Sequence, residues 1–134
     1  MPTDEFDVTG LRVLVVDDDD GIVATCLLVL AGAGAVAFGA RDAEAGHRAL
    51  ADSAYDVLVT DLVMPGLTGR KFLDRLGETH ACIPVVVMSG VPDQVQAAAS
   101  RANVRATLDK PFSATALLAA VHRAAHPVSA SVDG

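Results

Sequence analysis

Three aspartates, a serine and a lysine stand where hydrophobic runs stop. Asp17 and Asp18 follow LRVLVV, Asp61 closes DVLVTD, Ser89 closes VVVMS, and Lys110 follows VRATLD. Carboxylates crowded into a partly desolvated place repel one another and raise the free energy of the fold unless positive charge joins them. Oxygen donors of this kind suit a hard divalent cation. Mg²⁺ takes one or two carboxylates, keeps some waters and leaves room for phosphate oxygens, with Mn²⁺ as a substitute. A carboxylate beside such a cation and an ammonium can act as a nucleophile toward a phosphoryl group, because metal, ammonium and hydroxyl neutralise the charge spread over its equatorial oxygens. Positioning, rather than general-base chemistry, would do most of the catalysis.

These side chains can meet only if the runs that carry them are neighbours in one sheet. Apolar, mostly β-branched runs at 11–16, 35–38, 56–60, 83–88 and 104–108 predict strands. All but the second read as buried on both faces, as parallel sheets require. Alanine- and leucine-rich segments with helical spacing follow them, at about 21–32, 42–52, 68–77, 93–102 and 113–125. Strand and helix alternating in this way predict an α/β fold, a doubly wound parallel sheet with helices on both faces. Ligands of such sheets gather at the carboxyl ends of the strands, where the five residues stand. Residues 1–10 read as an N-terminal lead, 11–126 as the single domain and 127–134 as a flexible tail.

Composition narrows the class. A chain of 134 residues, 51% hydrophobic and 20% charged, can bury a core of its own. Its 10 Lys and Arg against 17 Asp and Glu give a formal charge of -7, so no direct nucleic-acid partner is expected. The N-terminus lacks the basic and apolar regions of a signal peptide, and no apolar run approaches about 18 residues. The expectation is a cytoplasmic protein with no membrane contact. Cys26 and Cys82 read as small buried hydrophobes in a reducing compartment. His47, His80, His122 and His126 share no spacing with cysteines or carboxylates that suggests zinc, and read as surface residues.

Taken singly, each residue has a plainer reading. Asp19 and Asp20 suit the first turn of a helix, where acidic side chains cap free N–H groups and complement the dipole. Asp17 and Asp18 alone would be a capping turn, Ser89 a helix cap and Lys110 a solvated side chain. Only Asp61 and Lys110 together with the others turn the odds.

The segments VVDD at 15–18, VTDLVMPGLTG at 59–69, VVVMSG at 85–90 and DKPF at 109–112 occur in that order. Through them the chain, over roughly residues 10–126, resembles a response-regulator receiver domain of bacterial two-component signalling. The resemblance implies a flavodoxin-like sheet of strand order 2-1-3-4-5. It makes Asp61 the phosphoacceptor, served by a sensor histidine kinase or a histidine phosphotransfer protein. Mg²⁺ would be held by Asp18 directly, by Asp17 directly or through water, by Asp61 and by the backbone carbonyl of Val63. Ser89 would hydrogen-bond a phosphoryl oxygen, Gly90 would keep the approach open, and Lys110 would pair with the phosphoryl group or the acceptor carboxylate. The Lys110–Pro111 bond would be cis. Phosphorylation would then repack the face formed by the fourth helix, fifth strand and fifth helix, which an output domain or protein reads. A receiver assists only its own phosphorylation and dephosphorylation, so a signalling domain rather than an enzyme is expected.

Two departures from the family pattern carry expectations of their own. Thr107 stands where many receivers have a Tyr or Phe that turns inward on activation, so signalling would rest on backbone movement around Gly90. Val63 and Val91 would flank the phosphoryl site, impede the hydrolytic water and lengthen the phosphorylated lifetime.

Two rival readings use the same residues. A haloacid-dehalogenase-type phosphatase needs a strand-end D-x-D followed by glycine, which Asp18, Asp20 and Gly21 imitate, with Ser89 and Lys110 as later partners. Against it, the chain is short for that fold with a cap, no late acidic pair follows Lys110, and Asp61 has no role there. The other rival is a degenerate docking receiver that is never phosphorylated, against which the intact set of five argues.

Overall fold

The structure, a computed structural model, describes residues 6–61, 83–90 and 104–126. The helices predicted over 68–77 and 93–102, with Val63, His80, Cys82 and Val91, lie outside the described residues, as does the tail. Five parallel strands form one sheet in the order β2-β1-β3-β4-β5: β1 (Arg12–Val16), β2 (Val36–Ala40), β3 (Val57–Asp61), β4 (Val85–Ser89) and β5 (Val104–Asp109). Three helices are described, α1 (Asp20–Gly32), α2 (Ala43–Asp52) and α3 (Ala114–Ala125).

Alternation along the strands divides the core in two. Val13, Val15, Val57, Val59, Val86 and Met88 face α1 and α3, where Cys26, Leu30, Leu117 and Val121 complete one cluster. Leu14, Val16, Leu58, Val85 and Val87 face the other way, against Ala43 and Leu50 of α2. Every residue of β3 and β4 is buried, which is why their sequences read as unbroken apolar runs. Each fully buried Leu or Val removes enough apolar surface from water to contribute roughly 1.5–3 kcal/mol.

The outer strands differ from this. β2 is largely exposed, with Val36 and Phe38 open to solvent. β5, expected to be buried on both faces, instead alternates: Val104 and Ala106 are half-buried and Leu108 is buried, while Arg105, Thr107 and Asp109 are exposed. Among the described residues it is an edge strand, paired with β4 alone.

Local chemistry sets the element ends. Asp19 caps α1 by accepting from the N–H groups of Gly21 and Ile22, Asp42 caps α2 through Ala45, and Ser113 caps α3 through Ala116. Gly34, at φ +94°, turns the chain from α1 into β2 in a region closed to most side chains. Gly39 permits close packing, since a Cβ there would lie 2.6 Å from Cγ1 of Val23 on α1. Before β1, Val8 is only 1% exposed and belongs to the α1–α3 cluster, so the expected lead supplies part of the core.

Candidate functional site

The carboxyl ends of β1, β3, β4 and β5 deliver Asp17, Asp61, Ser89 and Lys110 to one edge of the sheet. Asp17 follows β1, and its N–H donates to the Ala40 carbonyl at 3.1 Å, one step beyond the β1–β2 pairing. Its side chain is therefore aimed by the sheet. Asp61 is the last residue of β3, in register with Met88, and Ser89 ends β4 in register with Asp109. The N–H of Lys110 donates to the Ser89 carbonyl at 2.9 Å, so the last rung of the β4–β5 ladder holds the base of the lysine. The Lys110–Pro111 bond is cis, as the resemblance implies.

Asp17, Asp18 and Asp61 each present a carboxylate oxygen within 4.8 Å of the other two. Asp17 and Asp61 are buried while Asp18 is exposed. The Lys110 ammonium lies 2.8 Å from Oδ2 of Asp17 and 3.3 Å from Oδ2 of Asp61. Its shorter contact is thus with Asp17, not with the acceptor carboxylate named from the sequence. Asp17 has no solvent exposure, and a buried carboxylate is costly without an opposite charge in contact. Burial of Lys110 disfavours its charged form, but the hydrogen bond it donates to Asp17 and the charges of Asp61 and Asp17 outweigh that, and its pKa lies above the usual lysine value.

Ser89 is 1% exposed at the end of its strand. Among the described residues, a Cβ on Gly90 would meet no atom within 4 Å. Thr107 is exposed on β5, in register with Val87, and stands apart from the charged cluster along the strand. Pro111 helps line an open cleft of about 530 Å³ with Ile22, Thr25, Lys110 and Phe112, directly beside the lysine.

The remaining two aspartates leave the cluster. Asp19 accepts two N–H groups of α1 and its own N–H donates to Oδ1 of Asp17 at 2.9 Å. Asp20 points to solvent and pairs with Arg41 at 3.0 Å. The Asp18, Asp20 pair that a D-x-D phosphatase would need is accordingly not assembled. The cleft and the Asp19 to Asp17 bond were missed from the sequence. The second had a signal, because an aspartate that accepts from the N–H two residues on is a common turn device. His47, expected at the surface, is half-buried on α2.

All three donors are carboxylate oxygens, the class that hard divalent cations select, and the two buried ones share one ammonium. The residues present fit Mg²⁺ by donor chemistry and by charge.

Comparison with known proteins agrees with the geometry. The sequence pattern of the response regulator receiver domain matches residues 13–122. The chain is 33% identical over 128 residues to the transcriptional regulatory protein FixJ of Rhizobium meliloti, covering 94% of the chain and 63% of that protein. It is 36% identical over 114 residues to the DNA-binding transcriptional regulator NtrC of Escherichia coli, covering 84% of the chain and 24% of that protein. It therefore spans less than two thirds of the length of either relative. Among solved structures, a response regulator receiver domain protein of Clostridium thermocellum superposes with a TM-score of 0.79 at 25% identity, over 86% of this chain and 94% of that one. The chemotaxis response regulator CheY4 of Vibrio cholerae gives 0.79 at 25% identity, over 87% and 99%. With its β2-β1-β3-β4-β5 sheet and acidic strand-end cluster, the chain belongs to the response regulator receiver domain family of two-component signalling.

Proposed function

We propose that Asp61 is the phosphoacceptor of this receiver and takes a phosphoryl group from a phosphohistidine of a sensor kinase or phosphotransfer protein, or from a small donor such as acetyl phosphate. The observation that carries this is the meeting of Asp17, Asp18 and Asp61 within 4.8 Å of one another, with the Lys110 ammonium against the two buried ones. An oxygen of Asp61 attacks phosphorus and a P–O bond forms; from phosphohistidine the P–N bond breaks with its electron pair leaving on the imidazole nitrogen, and from acetyl phosphate the P–O bond to the acetyl group breaks with its pair leaving on acetate. Lys110, held at its backbone by Ser89, stands ready to meet the charge of the arriving phosphoryl oxygens. Ser89, at the end of the neighbouring strand, donates its hydroxyl to one of them. Asp17, Asp18, Asp61 and the Val63 carbonyl are the groups to hold Mg²⁺, which when bound supplies charge neutralisation for the transferred group. The surroundings of these residues support positioning over general-base work, since Asp17, Asp61 and Lys110 are already paired and aimed.

The product would be read by a partner or output domain through the face formed by the fourth predicted helix, at 93–102, with β5 and α3, in the cytoplasm, with the domain itself spanning 11–126. Among the described residues no helix is long and apolar enough to cross a membrane. The test is intact-mass measurement after incubation with acetyl phosphate and Mg²⁺. One phosphoryl adduct is expected, and it should be absent in Asp61→Asn. An adduct that persists in that variant, or none in the native chain, refutes the assignment.

A further inference from the structure

At the far end of α3 from the acidic cluster, two imidazoles stand together. His122 and His126 are four residues apart, which puts them on one face of a helix. Their ring centroids are 4.9 Å apart. His122 is half-buried and His126 exposed, so the pair opens to solvent. We propose that His122 and His126 form a binding site for a borderline divalent transition-metal ion, of the Zn²⁺ or Cu²⁺ kind, separate from the acidic cluster.

The spacing is the one by which two histidines of a helix grip a single ion in zinc-binding helices. A tetrahedral ion with metal to nitrogen distances of about 2.0–2.1 Å needs the two nitrogens roughly 3.3 Å apart. Because ring nitrogens lie on the ring perimeter, imidazoles at the observed separation reach that span by rotation of the exposed His126 ring, with His122 left in place.

A second observation, independent of spacing, concerns the tautomer. Nδ1 of His122 lies 3.0 Å from the backbone carbonyl of Asp7. A carbonyl oxygen only accepts, so Nδ1 carries the proton in this contact, and in the neutral ring Nε2 is then the nitrogen with the free lone pair. Ligating histidines are held in this way, with the second ring nitrogen donating to a backbone carbonyl or carboxylate. The backbone that carries the second ring is fixed as well, since the main-chain N–H of His126 donates to the His122 carbonyl at 2.9 Å and closes the last turn.

The electrostatics favour a cation here. The pair ends α3, where the helix dipole is negative. The two metal sites stay apart because α3 starts beside the carboxyl ends of the strands and runs back for 12 residues, roughly 18 Å.

Calorimetric titration of the full chain with ZnCl₂, with Mg²⁺ in excess to occupy the acidic cluster, tests the proposal. One Zn²⁺ per chain is expected, with CuCl₂ binding more tightly, as the order of divalent affinities requires. His122→Gln and His126→Gln should each weaken binding at least about tenfold, the lower range already seen when only an outer partner of a ligand is lost. Arg123→Gln should leave it unchanged. Because His126 is exposed at the last turn, its variant keeps the fold, and circular dichroism checks that. Electron paramagnetic resonance of the Cu²⁺ form should show two imidazole nitrogens in the native chain and fewer in either variant. Unaltered Zn²⁺ affinity in His126→Gln, or a Cu²⁺ spectrum without two imidazoles, overturns the proposal.

Discussion

Two ion pairs sit at the same end of the sheet and are almost equally short. Lys110 and Asp17 meet at 2.8 Å, Arg41 and Asp20 at 3.0 Å. Their side chains differ in solvent: 20% and 0% exposed in the first, 71% and 73% in the second. Aspartates three positions apart in one run thus enter opposite regimes. In the first, charge is held in a poorly solvated place by a partner it cannot lose cheaply; in the second, water serves either ion nearly as well as the other. Distance alone does not rank such contacts.

The sharpest way to break this comparison is to remove the cation from each pair. Lys110→Met leaves Asp17 and Asp61 facing one another without their shared counter-charge, and should cost about 3 kcal/mol in urea unfolding without divalent ions. Mg²⁺ should restore part of the loss. A cost no larger than that of Arg41→Met would show that burial does not separate the two pairs.

The linkage has a definite sign. The folded-state pKa of Lys110 is raised above the unfolded value of about 10.5. Its contribution is therefore fully present below that pH and is lost as pH rises through the folded value. The stability difference between the native chain and Lys110→Met should stay level through neutral pH and shrink only in the alkaline range. A difference that shrank between pH 7 and 9 would contradict the assignment of the contact as a retained ammonium.

A smaller effect of opposite sign is expected at Asp18. It is exposed and adds a third like charge to the buried two. Asp18→Asn should raise stability without divalent ions by about 1 kcal/mol, the size of one close repulsion in water. The same variant should weaken the stabilisation that Mg²⁺ gives. Urea melts with and without Mg²⁺ measure both, and a loss of stability without metal would mean that Asp18 supports the fold in its own right.

How much of this was legible in the sequence depends on the kind of contact. Asp17, Asp61, Ser89 and Lys110 could be placed together because parallel strands bring their carboxyl ends to one edge, and chemistry-bearing residues break apolar runs visibly. Asp19 as a cap was legible because its partners are two and three residues away. The preference of Lys110 for Asp17 over Asp61 was not, because it depends on how deeply each carboxylate is buried. The alternating burial of β5 was misjudged because VRATL holds enough β-branched and apolar residues to suggest a central strand, and only its place at the edge of the sheet decides otherwise. β2 extends to Ala40 rather than ending at Phe38, since Gly39 looks like a breaker in sequence but here admits Val23 of α1.

The smallest effect belongs to the exposed pair, and it is also the cleanest to isolate. Asp20 lies in the first turn of α1, so Asp20→Asn removes both its contact with Arg41 and its interaction with the helix dipole. Arg41→Gln removes only the contact. A double-mutant cycle over the two substitutions cancels the dipole contribution and leaves the pair itself. The coupling should be about 0.3 kcal/mol at low salt, in the range of exposed pairs, and should fade as ionic strength rises. Both oxygens of Asp20 lie near the same guanidinium nitrogen, at 3.0 and 3.2 Å, rather than each meeting its own N–H. That single-nitrogen geometry lacks the parallel bonds that make some arginine pairs strong. A coupling above about 1 kcal/mol would place the pair outside the exposed range, and solvent exposure would then no longer explain the contrast with Lys110 and Asp17.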